Sequence, residues 1–105
     1  MTFRVEVTES AKRDLQEIYD YIAYSLKSPI NADSLMNKLE SEITSLETMP
    51  ARYKRYETEP WHSRGMRLMS VGNFIVFYIP DEEKQIVFIN RVMYGGRDID
   101  SEMTK

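Results

Sequence analysis

The sequence predicts an α+β domain in the order β-α-α-β-β-β, a two-helix hairpin packed on a mainly antiparallel four-stranded sheet. Three observations predict it. Phe3, Val5 and Val7 alternate with Arg4 and Glu6, the period-2 pattern of a half-buried strand. Two apolar stripes at helical spacing follow, and the last third holds two strongly apolar runs, residues 74–79 and 86–89, each bounded by turn residues. At 105 residues the chain is expected to form one domain, 1–105.

Thr8 stands where a helix N-cap is needed, and Glu9 suits the positive end of the helix dipole. Ala11, Leu15, Ile18 and Ile22 then fall on one helical face. Ser28-Pro29 predicts a second start, with serine as cap and proline in the first turn. Ala32, Leu35, Met36, Leu39, Ile43 and Leu46 form its stripe, and Pro50 ends it. So short a break folds the two helices back on one another. Residues 51–65 carry no periodicity, and a connection of that length in a small domain is uncommon and often functional. Residues 66–71 predict a strand, Gly72-Asn73 a tight turn, residues 74–79 a strand, 80–84 a longer turn and 85–93 the last strand. The apolar runs predict that the last two strands are covered by the helices or by a partner.

Composition narrows the function. There is no cysteine and a single histidine, so disulfides and thiolate metal sites are excluded and a histidine-rich metal site is disfavoured; no cofactor is expected. No apolar run approaches the ~20 residues that span a membrane, no signal-peptide core opens the chain, and the cytoplasm is the expected location. The net charge of −3 conceals an asymmetry: −4 over residues 1–49, +3 over 50–97 and −2 over 98–105. Any polyanion contact would therefore be local to the middle segment, where Arg52, Lys54, Arg55, Trp61, His62 and Arg64 are the candidate binding residues.

Thr8, Ala11, Asp14-Leu15, Ile18, Tyr21-Ile22, Ser28-Pro29 and Ala32 stand in a distinctive order. It continues in Gly65-x-Arg67, in 71–74 (Val-Gly-Asn-Phe), in Phe77-Tyr78, in Arg91-Val92 and in Gly96-Arg97-Asp98. In this order and spacing the chain resembles the RelE/ParE superfamily of toxins from bacterial type II toxin–antitoxin modules. It is closer to the ParE-like side, although Tyr94 stands where that side usually has histidine. The resemblance implies a cognate antitoxin, a role in growth inhibition and plasmid stabilisation, and one of two targets. A ParE-like toxin would bind an essential protein, plausibly DNA gyrase. A RelE-like toxin would cut messenger RNA on the ribosome without a metal, and a non-toxic antitoxin-binding relic is a third reading. Fold alone does not choose among them, so whether the chain is an enzyme stays open.

Cleavage through 2′-OH attack needs a base, an acid and cations around the phosphate. Arg67, Arg91 and Arg97 are the candidate cations; on the protein-binding reading the same residues become target contacts. Tyr94, with a tyrosine's ordinary pKa of about 10, is a poor base but could donate a proton or stack. Each has a plainer reading: Arg67 in an ion pair across the sheet, Arg97-Asp98 as a local pair, His62 as a solvated loop residue, and Trp61 as a cover for one end of the helical layer. Glu9, Asp14, Glu17, Asp20 and Glu40 are expected to be solvated. Of Tyr19, Tyr21 and Tyr24, at least one is expected in the core and the others at a seam with a partner. The basic middle segment is the expected dock for an acidic-to-amphipathic antitoxin, and the chain is expected as a homodimer or a toxin–antitoxin heteromer.

Overall fold

The computed structural model describes residues 2–96 and 98–103. Strand β1 (Arg4–Val7) leads through Thr8 into helix α1 (Glu9–Asp20), and the Thr8 hydroxyl oxygen accepts the Ala11 N–H at 3.2 Å, as an N-cap does. One wide π-helical turn, Tyr21–Ser25, extends α1. Helix α2 (Pro29–Thr44) follows with proline in its first turn, but the Ser28 side chain makes no capping bond, so serine is not the cap expected there. Left-handed Lys27 (φ 53°) reverses the chain before it. The hairpin strands β2 (Arg67–Val71), β3 (Phe74–Asp81) and β4 (Ile86–Tyr94) occupy the predicted positions within a residue or two. Gly72, at φ 58°, makes the turn between β2 and β3. A short helix absent from the sequence-based reading, α3 (Ile99–Met103), closes the described chain.

The sheet order is β1-β4-β3-β2. β1 runs parallel to β4, with Val5 opposite Val87 and Val7 opposite Ile89; the other pairs are antiparallel. The period of two divides the core. Met69, Val71, Val76, Tyr78, Val87, Ile89 and Val92 face the helices and meet Ala11, Leu39, Ile43 and Leu46. Met66, Phe77 and Met93 point the other way, where they are covered by Tyr56, Trp61, Ile99 and Met103. The apolar strands are therefore covered on both faces, with segment 51–65 and α3 forming the second layer. Trp61 belongs to that second layer and not to the end of the helical one, because the alternation of β3 leaves Phe77 and Ile79 exposed unless the long connection crosses them.

That connection is ordered by its own hydrogen bonds. Tyr56 N–H donates to Met66 O at 2.8 Å and Leu68 N–H to Lys54 O at 3.0 Å, so residues 54–56 line part of the free edge of β2. The Tyr78 hydroxyl, fully buried, donates to Pro50 O at 2.6 Å. The Tyr56 hydroxyl donates to the Asp100 carboxylate, fastening α3 to the connection. Burial holds both phenols neutral, each pushed up to about 12; for Tyr56 the Asp100 carboxylate adds to the effect.

Candidate functional site

The site is built where β1 ends too soon. The β1–β4 pairing stops at Val7 and Ile89, yet β4 continues to Tyr94. Beyond Ile89, the outward backbone groups of β4 have no strand to meet. α1 supplies the missing partners from its side chains: the Thr8 hydroxyl donates to Asn90 O at 3.2 Å, and Asp14 Oδ2 accepts the Val92 N–H at 2.9 Å. The same carboxylate takes the Arg91 guanidinium in a two-pronged pair, Nε to Oδ2 at 2.7 Å and Nη2 to Oδ1 at 3.0 Å. The strand partners of β3 step from Arg91, opposite Phe77, to Ile89, opposite Tyr78, leaving Asn90 over as an extra residue. Asp14 is therefore not solvated as expected: its side chain is 11% exposed and serves as a surrogate strand end. The pair holds the Arg91 guanidinium more firmly charged than usual, chiefly through the Asp14 hydrogen bonds.

Beside this pair runs an open groove of about 540 Å³, with α1 on one side and the β3–β4 end on the other. Glu17, Ile18, Tyr21 and Ile22 line the α1 side at helical spacing. Phe74, Val92, Met93 and Tyr94 line the sheet side, where the Phe74 and Tyr94 rings meet edge-on with centroids 5.9 Å apart. Gly96 has no Cβ, which leaves room for the Tyr94 ring: a Cβ there would fall 2.4 Å from Tyr94 Cε2. Tyr94 is half exposed and Tyr21 and Tyr24 are exposed, the last two on the π-helical turn. None of the three helix tyrosines is buried, against the expectation that one would be core, because Ala23 takes the inward position; the Asp33 carboxylate of α2 pushes the Tyr19 phenol up.

The described candidate cations do not gather around one point. Arg67 lies on β2, two strands from β4, and its Nη1 donates to Tyr53 O at 2.7 Å; among the described residues it makes no ion pair across the sheet. Arg91 is held by Asp14, Tyr94 stands in the groove, and Arg97 lies outside the described residues. The middle-segment cations organise their own loop. Arg52 Nη1 donates to Thr48 O at 2.6 Å, and its guanidinium covers the Tyr53 ring at 4.7 Å. Arg55 clasps His62 O at 2.7 Å, Lys54 pairs with Glu57 at 3.7 Å, and Arg64 lies over the Trp61 ring at 5.0 Å. His62 is exposed and its Nδ1 lies 2.9 Å from Tyr56 O. Among the described residues no cluster of histidine and carboxylate side chains could hold a metal ion. The sequence reading did not single out Glu17 or Phe74 as candidate site residues. The signal available was a helix stripe that stays apolar at Tyr21 and Ile22, where the sheet it should cover is already ending.

Known structures share this fold. The ParDE toxin–antitoxin system of P. aeruginosa aligns with a TM-score of 0.73 at 19% identity over 89% of this chain and 96% of its own. A mutant of the E. coli toxin RelE in the free state gives 0.67 at 12% identity over 97% and 93%. The RelBE2 toxin–antitoxin complex of Mycobacterium tuberculosis gives 0.63 at 23% identity over 90% and 99%. No curated protein sequence matches the chain. The family model for the ParE toxin of the type II toxin–antitoxin system parDE matches residues 5–99, nearly the whole chain, and this protein belongs to that family.

Proposed function

We propose that this toxin arrests growth by binding an essential protein, DNA gyrase in the first instance, with no bond-breaking chemistry of its own, and that a cognate antitoxin neutralises it. The antitoxin is supported by the similar P. aeruginosa and M. tuberculosis structures, which are toxin–antitoxin systems. The target reading rests chiefly on one observation. The groove around Tyr94 is lined by aromatic and aliphatic side chains and by the carboxylates Asp14 and Glu17, with no cation among its described lining residues. A pentavalent phosphate needs positive charge at that point, and carboxylates repel it. The Arg91 guanidinium, on Asp14 beside the groove, is already bound through two of its nitrogens. An apolar trough rimmed by tyrosines suits a protein surface better than a nucleotide.

Two assays on purified toxin test the reading. With gyrase and supercoiled plasmid, cleaved complexes are expected; with ribosomes translating a reporter, the messenger is expected to stay intact. Messenger cleavage that disappears in Arg67→Ala, with gyrase unaffected, would refute the reading and make the chain a nuclease.

A further inference from the structure

β1 is an edge strand whose backbone is only half used. In a parallel pair each residue turns both backbone groups to one side, and successive residues alternate. Arg4 N–H donates to Gln85 O at 2.9 Å and Thr8 N–H to Ile89 O at 3.1 Å, so the even-numbered residues face β4. Phe3, Val5 and Val7 therefore face outward. Phe3 N–H is taken by Glu47 O at 2.7 Å, just past the end of α2. Among the described residues nothing meets the outward N–H and C=O of Val5 and Val7. The β2 edge differs, because residues 54–56 line part of it.

The open edge borders a groove of about 470 Å³. Leu15 of α1 and Met36, Leu39 and Ile43 of α2 form its apolar wall, and Val5 and Val7 close the strand side. It shares no lining residue with the groove at the β4 end. Its charge is acidic. Glu40 and Glu47 line it and form no ion pair among the described residues, while Arg4 is held by Glu6 at 3.0 Å. That exposed pair on so short a strand hinders indiscriminate edge-to-edge pairing. A second copy suits the edge badly. Pairing Val5 with Val7 of the copy would set the two Glu6 side chains directly opposite one another, where like charges destabilise.

We infer that the β1 edge and this groove form a strand-addition site for another protein, one that supplies an extended, basic segment with apolar residues at alternate positions. In an antiparallel addition the residues opposite Val5 and Val7 each exchange both backbone bonds. Their side chains fall on the same face as Val5 and Val7, which is the groove side. Backbone pairing attaches the segment, and the groove selects an apolar residue at every second position. Glu40 and Glu47 select lysine or arginine at its ends. The site uses none of the residues around Tyr94, so it stands apart from the target reading above.

The probe is a short fluorescent peptide, Lys-Thr-Val-Thr-Val-Thr-Lys, titrated into the full-length chain by anisotropy. Saturable binding is expected. N-methylation of both valines should abolish it, whereas N-methylation of two threonines, whose amides face solvent, should leave it within about twofold. In amide exchange followed by NMR, Val5 and Val7 should exchange fast in the free chain and slow about tenfold or more under saturating peptide, while Glu6 stays protected throughout. Glu40→Lys should weaken binding about tenfold, the scale of one charge contact. Glu57→Lys, an equal change of net charge on the 51–65 connection, should leave it within about twofold. Equal effects of the two methylation patterns, saturation without slowing of Val5 and Val7, equal weakening by the two lysine variants, or no saturable binding would each overturn the proposal. Slowing of the same two amides on concentrating the chain without peptide would make the occupant a second copy and overturn it as well.

Discussion

Asp14→Ala tests the central structural claim, that a helix side chain stands in for the strand that β1 does not provide. The substitution removes three contacts together: the Nε bond at 2.7 Å, the Nη2 bond at 3.0 Å and the acceptor for Val92 N–H at 2.9 Å. Breaking one side of a buried ion pair costs about 3–5 kcal/mol, because the partner charge remains behind. Here the Arg91 side chain keeps 28% exposure, so water recovers part of that loss. The expected cost is therefore about 2–3 kcal/mol, a large fraction of the stability of a chain of this size. Urea unfolding at neutral pH measures it. Asp14→Asn keeps an acceptor for Val92 N–H but loses the charge, and should cost about half as much. In Arg91→Met the lone carboxylate retains the Val92 bond, so the double variant Asp14→Ala/Arg91→Met should lose clearly less than the sum of the two single variants. Additive losses, or a cost for Asp14→Ala below about 0.5 kcal/mol, would refute the surrogate-strand argument. The same pair separates scaffold from site: if Arg91→Lys arrests growth as well as the parent chain at equal protein level, the arginine is structural.

Three further outcomes are expected. Tyr78 should make stability fall at high pH: folded and unfolded chains are alike neutral below pH about 10, and between there and about 12 only the unfolded phenol ionises. The fall should approach about 2–3 kcal/mol and be blunted in Tyr78→Phe, which also costs about 1–2 kcal/mol at pH 8 by leaving Pro50 O without its donor; paired urea titrations at pH 8 and 11 check both. Leu46→Ala, at a fully buried position beneath β1 and β4, should cost about 2–5 kcal/mol in the same assay, whereas Ile18→Ala, half-buried on the groove, should cost clearly less. Gly96→Ala should change stability by less than about 1 kcal/mol, because the half-exposed Tyr94 ring can swing away from the new methyl; a melting curve checks it.

Most of the fold was legible because it rests on periodicity. The alternation of Phe3, Val5 and Val7 placed β1, and the apolar runs around Gly72-Asn73 placed the hairpin strands. What stayed illegible depends on contacts far apart in the chain. Asp14 carries the polar-face signature of a solvated helix residue, and nothing local marks a partner 77 positions away. α3 is five residues long, too short for a helical stripe, and is held by Met103 in the second core and by Asp100 on Tyr56. The second layer was hidden for a related reason. Residues 51–65 have no period because Tyr56 and Trp61 cover the second core at irregular spacing while Arg55 clasps the backbone oxygen of His62.

The charge pattern has a structural side that a count along the chain does not carry. A stretch with net +3 suggested a surface for polyanions, but charge counted along a chain says nothing about what the folded backbone requires of it. A long connection crossing the face of a sheet has many carbonyls and no ladder to satisfy them. Arg52, Arg55 and Arg67 donate to the oxygens of Thr48, His62 and Tyr53, so each of these cations completes the hydrogen bonding of an irregular backbone. On the opposite side, α1 carries acidic residues that sequence reasoning had set aside as solvated, and there one carboxylate completes β4 while another rims an apolar trough. Function in this chain is therefore to be sought where the regular elements run out of partners, at the end of β4 beyond β1, and the reach of α1 past that point leaves the groove open to a second chain.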